Sequence, residues 1–274
     1  MNLNARVATA IPLAVVCVSA VWYLPTTAFA VGIGTIVLLG AWEWSALAGF
    51  SRLLNRYLYV AALLVLGIGL LAVGGGSRQI PVAASAALFW VVALILVVAT
   101  QWGRFQLQQW PRLRVIAGAL VLLPTWHGLS SLHGRPDGPI QVLFLLFLIW
   151  SADIAAYFAG RAWGRSRLCS QVSPGKSWEG VWAAVFAAVV LGALFAGSQN
   201  LPAPAMLTFA LLAALTVAAS IIGDLLESML KRSANLKDSG TLLPGHGGIL
   251  DRIDSLTAAA PVYLLGLYCV ETLV

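Results

Sequence analysis

The chain is a series of long apolar runs separated by short polar segments. A membrane-spanning helix needs roughly 20 mostly apolar residues, and runs such as 83–100 lack the alternation of polar and apolar residues that an outer-membrane barrel strand requires. The pattern therefore predicts an all-α, polytopic integral membrane protein with about nine transmembrane helices. We place them at residues 8–24, 28–48, 57–73, 82–99, 115–132, 140–159, 180–197, 204–226 and 256–273.

Composition supports this class. The 274 residues are 60% hydrophobic and 9% charged, with a mean hydropathy of +0.90, far from the profile of a soluble globular protein. No linker divides the chain, so we predict one membrane domain over residues 1–274. Residues 1–140 are expected to be mainly scaffold helices, and residues 150–256 to carry the functional site. The scattered cysteines have no metal-ligand spacing and are interpreted as packing residues (Cys17, Cys169 and Cys269).

The first apolar run has two interpretations. Arg6, the apolar run and the Thr-Ala-Phe-Ala sequence at 27–30 resemble a signal peptide with its cleavage site. A second apolar run follows at once, so we favour an uncleaved first helix. Both interpretations place residue 26 outside the cytoplasm.

Orientation follows from the basic residues, because short cytoplasmic loops are enriched in Lys and Arg. The N-terminal segment and every second loop after it hold 14 of the 16 basic residues, and the opposite loops hold only Arg78 and Arg135. The N-terminus is therefore predicted to be cytoplasmic, in a bacterial-type inner membrane. The two charged late loops, 160–179 and 227–255, face the cytoplasm in this topology.

Polar residues of the first half are assigned minor roles. Glu43 lies between Trp42 and Trp44 near a helix end, where we expect it to reach water, with a role in the functional site as the alternative. His127 and His133 lie near an outer loop without a third metal ligand at useful spacing, so we expect them to be solvated.

A first chemical stretch begins in the sixth predicted helix. Asp153, Tyr157, Gly160, Arg161 and Gly164 recur at helical spacing and can share one face. An acid inside the membrane is costly unless it is paired or hydrated. The face is either a structural Asp153–Arg161 pair or the wall of a substrate pocket, in which Arg161 meets an anionic group.

The following segment, Ser173 to Gly180, reads SPGKSWEG. Its GKS fits the end of a P-loop, but position 170 is Ser and no predicted strand precedes it, so a P-loop is rejected. A Gly/Ser loop before a helix still offers backbone N–H groups and a lysine to a phosphate. Lys176 is either this phosphate ligand or a cytoplasmic anchor.

Charge is most concentrated near the end of the chain. Nine of the 26 formal charges fall between residues 224 and 254, in and around a Gly-rich segment that contains His246. Asp224, Glu227 or Ser228, and Lys231 recur on one helical face, and Asp251 and Asp254 on another. Two acidic faces joined by a flexible loop predict a site for phosphates and Mg²⁺, which prefers oxygen ligands.

The same segment carries a family resemblance. The pattern S-x-x-K-R-x4-K-D-x-G-x2-L-P-x-H-G-G-x2-D-R-x-D is fulfilled at every position from Ser228 to Asp254. It resembles the signature of the phosphatidate cytidylyltransferases (CDP-diacylglycerol synthases). SPGKSWEG extends the similarity, although Gly175 replaces a lysine that we expect in many relatives.

The resemblance implies transfer of CMP from CTP to phosphatidate, giving CDP-diacylglycerol and diphosphate, at the cytoplasmic membrane face. It implies Mg²⁺ or another divalent cation, with a second cation possible. Asp224 and Asp251 would be the metal ligands, and Glu227 and Asp254 would either support them or act as alternative ligands. The partners implied are CTP, phosphatidate and the bilayer, without nucleic acid, and a homodimer is left open. The catalytic residues would be Asp224, Lys237, Asp251 and His246, and the substrate or phosphate ligands would be Arg161, Lys176, Ser228, Lys231, Arg232 and Arg252.

Three alternatives remain at this stage. A CTP-dependent polyprenol or phytol kinase would transfer the γ-phosphoryl group instead. A secondary transporter would place its charges at the midplane between repeated halves, whereas these charges gather at one surface. A purely structural membrane scaffold would use them only as surface ion pairs.

Overall fold

The computed structural model describes residues 3–73, 78–242 and 247–271. Within these ranges the chain forms nine long helices, as the apolar pattern predicted. Their bounds are α1 Leu3–Tyr23, α2 Thr26–Leu47, α3 Leu53–Val73, α4 Gln79–Gln101, α5 Pro111–His133, α6 Gly138–Trp163, α7 Trp178–Ser198, α8 Ala203–Ser233 and α9 Leu250–Glu271. Eight of these, α2 to α9, are long and apolar enough to cross a membrane, while α1 contributes a shorter apolar helix, Ala14–Tyr23.

The last two helices extend further into the polar segment than hydropathy predicted. Helix α8 continues to Ser233 instead of residue 226, and α9 begins at Leu250 instead of residue 256. Hydropathy marks the part of a helix that lies in hydrocarbon, whereas the backbone hydrogen bonds of a helix can continue into a polar segment beyond it. The acidic faces of the sequence therefore lie on regular helix.

A small β-hairpin precedes α7, and the sequence did not predict it. Strands β1 (Arg167–Cys169) and β2 (Ser173–Ser177) pair antiparallel, with Arg167 opposite Ser177. Cys169 is buried here, and burial raises the pKa of its thiol, which fits a packing role. Cys269, by contrast, is exposed on α9 and does not pack in the core.

Helix α9 lies at the centre of the packing, in contact with α8, α5 and α4. Aromatic residues join it to α6 to α8, where Phe144 stacks on Phe195 at 4.1 Å between ring centroids. Gly223 allows α8 and α9 to approach closely, because a Cβ there would lie 2.5 Å from the Asp254 carbonyl oxygen. This close approach lies directly beside Asp224 and Asp254.

The segments that carry most basic residues meet at one end of the bundle. Gln101 at the end of α4 contacts the hairpin through the Ser170 hydroxyl and the Gln171 backbone N–H, at 3.2 and 3.1 Å. Arg114 at the start of α5 donates to the Leu47 carbonyl at the end of α2. Arg135 pairs with Glu271 at the opposite end. The grouping inferred from the charge count is therefore present in the fold.

The two histidines of α5 are buried, so the expectation that they are solvated was wrong. The His133 ring stacks on Phe29 at 4.1 Å, and its Nε2 lies 2.9 Å from the Val21 carbonyl oxygen. His127 lies 3.4 Å from the Ser131 hydroxyl. A histidine with a hydrogen-bond partner can pack between helices, and both rings of α5 have one.

Candidate active site

A cavity of about 580 Å³ opens between α6, α7 and α8. Its inner wall is apolar and includes Ala152, Ala184 and Val217, whereas Lys176 and Asp224 supply charge. A cavity that combines an apolar wall with a few charged groups suits an amphiphilic ligand.

The α6 face predicted from spacing lines this cavity, through Asp153, Tyr157, Gly160 and Arg161. Arg161 donates to the Tyr157 hydroxyl at 3.0 Å, and Asp153 interacts electrostatically with Lys176 and Asp224. The structure therefore favours the pocket-wall interpretation over an Asp153–Arg161 pair. Gly164 lies outside the lining and ends the helix, where its N–H donates to the Gly160 carbonyl.

Lys176 is directed into the cavity by the hairpin. Its Nζ lies 2.6 Å from Asp224 Oδ2, and both side chains are partly exposed. Ser177, which follows, caps α7 by accepting a hydrogen bond from the Gly180 N–H at 3.3 Å, and the Glu179 carboxylate accepts from the Ser166 N–H. Gly175 to Ser177 thus belong to a strand that leads into a helix, not to a P-loop.

The polar face of α8 has the contacts that its spacing predicted. Ser228 Oγ donates to Asp224 Oδ1 at 3.3 Å, one helical turn away. Lys231 lies 3.4 Å from Glu227 Oε1 at the same spacing. Asp224 reaches the cavity, while Lys231 continues toward α9.

Asp251 on α9 is held by four donors. Its Oδ1 accepts from Lys231 Nζ at 2.6 Å. Its Oδ2 accepts from the Ser239 N–H and hydroxyl, both at 2.9 Å, and from the Gly248 N–H at 2.8 Å. Charge-assisted bonds of this kind fix a carboxylate in one orientation.

Glu227 and Asp254 connect the two lysine–aspartate pairs. Asp254 interacts electrostatically with Asp224 and Glu227, and Glu227 also interacts with Asp251. Both Glu227 carboxylate oxygens are buried, and neither accepts a hydrogen bond among the described residues, although Lys231 Nζ lies 3.4 Å from Oε1. The four carboxylates therefore form a row between α8 and α9, with Lys176 at one end and Lys231 at the other.

Comparison with known proteins assigns the chain to a family. The model of the cytidylyltransferase family matches residues 4–270. The chain belongs to this family. A phosphatidate cytidylyltransferase from Pseudomonas aeruginosa is 41% identical over 271 residues, covering 95% of each chain. One from Haemophilus influenzae is 36% identical over 286 residues, covering 95% of this chain and 97% of the relative. An uncharacterised Escherichia coli protein, YnbB, is 35% identical over 81% of this chain and 67% of its own length.

The metal ligands inferred from the resemblance to this family stay a prediction. Asp224 and Asp251 each pair with a different lysine, and within 3–73, 78–242 and 247–271 no three His, Cys, Asp or Glu side chains form a ready metal cage. Asp251 Oδ1 accepts from Lys231, and Asp224 oxygens accept from Lys176 and Ser228. A carboxylate has about four acceptor positions, so Asp224 keeps capacity for a cation. The four donors to Asp251 fill its positions, and a cation there would displace part of this set.

Other residues inferred for this cytidylyltransferase-family site lie at the same end of the bundle. Arg232, Lys237 and Arg252 are exposed, Arg232 at the end of α8 and Arg252 at the start of α9. Their phosphate-binding roles stay predictions. His246 lies outside the described residues.

Glu43 is the residue that sequence reasoning misplaced. It does not reach water: its side chain is 3% exposed. Its carboxylate accepts from the Ser239 hydroxyl and from the N–H groups of Ile249 and Leu250 at 3.0, 3.1 and 2.9 Å. An acid inside an apolar run was the available signal, but its partners lie about 200 residues away in the sequence.

Proposed function

We propose that this chain transfers the cytidylyl group of CTP to phosphatidate at the cytoplasmic face of the inner membrane. The observation that carries the proposal is the 41% identity, over 95% of both chains, to a curated phosphatidate cytidylyltransferase. The geometry agrees with this function, because a partly apolar cavity meets a row of acids and lysines. A lipid phosphate and a nucleotide need both features.

In the reaction, a phosphate oxygen of phosphatidate forms a bond to the α-phosphorus of CTP. The bond from that phosphorus to the bridging oxygen of the β-phosphate breaks, and diphosphate leaves with the bond's electron pair. Both reactants are anions, so cationic groups must reduce their repulsion and stabilise the leaving group. No covalent enzyme intermediate is needed.

Several cationic groups of the chain would serve this task. Lys176 and Arg161 line the cavity, where they would hold the phosphate of the lipid. Lys231, fixed between Glu227 and Asp251, would contact phosphates of CTP. The exposed side chains of Arg232, Lys237 and Arg252 would attract the nucleotide to this end of the bundle.

The residues fit a divalent cation. Among the described residues, the four carboxylates of the row interact with two lysines, and the buried Glu227 oxygens accept no hydrogen bond. Further positive charge would therefore balance the row. Asp224 and Asp251 would hold the cation, with Glu227 and Asp254 behind them. Such an ion, when bound, stabilises negative charge on transferring phosphates.

Labelled substrates separate this reaction from a lipid kinase. We expect purified enzyme, given phosphatidate and CTP, to transfer label from the α-phosphate of CTP to the lipid, and none from the γ-phosphate. Thin-layer chromatography of the extracted lipid measures both. Transfer of γ-label to the lipid would identify a CTP-dependent kinase instead. Transfer of α-label with release of diphosphate would exclude a kinase.

The orientation can be tested by cysteine labelling in a background without Cys17, Cys169 and Cys269. We expect a cysteine at Lys237, which is exposed, to react with an impermeant maleimide in inverted vesicles but not in intact spheroplasts. A cysteine at Asp137, exposed at the opposite end of the bundle, is the matched control with the reverse pattern. If position 237 reacts in spheroplasts, the charge-based topology is wrong.

A further inference from the structure

Glu43 joins α2 to the segments on either side of the last polar loop. It is buried, and its carboxylate accepts hydrogen bonds from the Ser239 hydroxyl, the Ile249 N–H and the Leu250 N–H. A buried carboxylate is costly unless donors surround it. These three bonds therefore hold Glu43 in place, and Glu43 in turn fixes the donors.

Two of these donors stand at the N-terminus of α9. The first N–H groups of a helix have no partner within the helix, and negative charge is favourable there. Glu43 thus acts as a helix cap contributed by a distant helix. It sets where α9 begins, and Asp251 follows Leu250 directly.

A second connection runs through Ser239. Its hydroxyl lies 3.0 Å from Glu43 Oε2 and 2.9 Å from Asp251 Oδ2. Glycines at positions 240 and 248 leave the space that the Glu43 carboxylate occupies, since a Cβ at either position would overlap it. Glu43 and Asp251 therefore contact the same two segments, and Asp251 also contacts Lys231.

We propose that Glu43 is a positioning residue for cytidylyl transfer, which sets the location of Asp251 and, through it, of Lys231. The proposal rests on the proposed function. A residue that only stabilised helix packing would not need to hold both flanks of the loop that connects α8 to α9, the two helices on which the carboxylate row lies. A misplacement of about 1 Å in a reacting group can reduce a rate about 100-fold, so such a residue affects turnover without touching substrate.

The test uses Glu43→Gln in the full-length protein in detergent. Glutamine has nearly the same shape, but it lacks the negative charge, and its NH₂ group cannot accept from the α9 backbone. We expect kcat to fall about 10- to 100-fold, as for other residues that orient catalytic ligands. Hydrogen exchange should become faster at one of the amides at 249 and 250, because they donate to different Glu43 oxygens and glutamine keeps only one acceptor oxygen.

Ser45→Ala is the matched control. Ser45 is also buried on α2, but its hydroxyl contacts the Trp42 carbonyl and Arg56 rather than the loop. This variant should share any loss of thermal stability, yet keep its kcat and its exchange rates at 249 and 250. A second variant, Ser239→Ala, removes only the hydroxyl bridge. Combined with Glu43→Gln, its effect should be less than multiplicative, since both changes break one connection.

The outcomes distinguish failure of the positioning role of Glu43 from failure of the proposed cytidylyl transfer. If Glu43→Gln keeps the wild-type kcat, or if Ser45→Ala loses as much kcat at a similar thermal midpoint, Glu43 is not a positioning residue. Unchanged exchange at 249 and 250 would overturn the proposal as well. If the wild-type protein itself forms no CDP-diacylglycerol, the proposed function fails, and faster exchange in Glu43→Gln would then report a structural anchor only.

Discussion

Replacing Asp251 by asparagine is expected to abolish cytidylyl transfer while leaving the protein inserted in the membrane. The carboxylate joins Lys231 to the Ser239 and Gly248 donors, and we propose it as a cation ligand. The asparagine amide is neutral, and its NH₂ group cannot accept a hydrogen bond. It would therefore face either Lys231 or the Ser239 and Gly248 donors without bonding to them. If the transition state loses about 4 kcal/mol of stabilisation, a value in the range for metal-assisted catalysis, the rate falls about 1,000-fold. Radiolabelled CDP-diacylglycerol formation measures the loss.

A matched control separates chemistry from folding in this experiment. Asp137→Asn makes the same change at an exposed position at the far end of the bundle, and it should keep full activity. Size-exclusion profiles and thermal midpoints of both variants test whether they are folded. Removal of a buried charge partner can itself destabilise a protein by about 3–5 kcal/mol, so a variant that aggregates is not evidence about catalysis. A well-folded Asp251→Asn variant with normal turnover would contradict the assignment.

The sequence predicted what depends on local periodicity. The nine helices follow from apolar runs, because hydrocarbon requires each spanning segment to satisfy its own backbone groups. The pairs Asp224–Ser228 and Glu227–Lys231 follow from the helical repeat, which brings residues four apart together. Both predictions use information within one turn or one run.

What the sequence did not predict depends on long-range contact. The hairpin is only a few residues long and contains Pro and Gly, which strand patterns rarely include. Glu43 was expected to reach water because nothing near it in the sequence indicates Ser239 or α9. His133 was expected to be solvated, since its acceptor at Val21 lies on another helix. In each case a tertiary partner, not a local preference, decides the position.

The partner of Asp224 illustrates the same limit within the site. Spacing placed Asp224 on a face with Ser228 and Lys231, but its closest cation is Lys176 on β2. Neither the hairpin nor its approach to α8 could be inferred from periodicity. The link between the SPGKSWEG segment and the acidic row is therefore a result of the fold.

Asp224→Asn is expected to lower activity about 1,000-fold, whereas Lys176→Met is expected to lower it less, about 10- to 100-fold. Asp224 reaches the cavity and is proposed to hold the cation, whose stabilisation of charge is worth several kcal/mol. Lys176 would supply one of several positive charges around the phosphates, and loss of a single electrostatic donor costs about 100- to 1,000-fold at most. Initial rates at saturating CTP and phosphatidate measure both effects.

The comparison of these two variants decides whether Asp224 serves only as the partner of Lys176. If it did, both variants would lose the same factor and the double variant would lose no more. Calorimetric titration with Mg²⁺ adds a measurement that does not depend on turnover. Asp224→Asn should show no heat of Mg²⁺ binding, and Lys176→Met should still show it.

Glu271→Gln is the control and should behave as wild type. It breaks the Arg135 pair at the far end of the bundle, where a half-exposed carboxylate contributes little to stability. Equal losses in the two site variants, with Mg²⁺ binding intact in Asp224→Asn, would place the cation elsewhere in the carboxylate row.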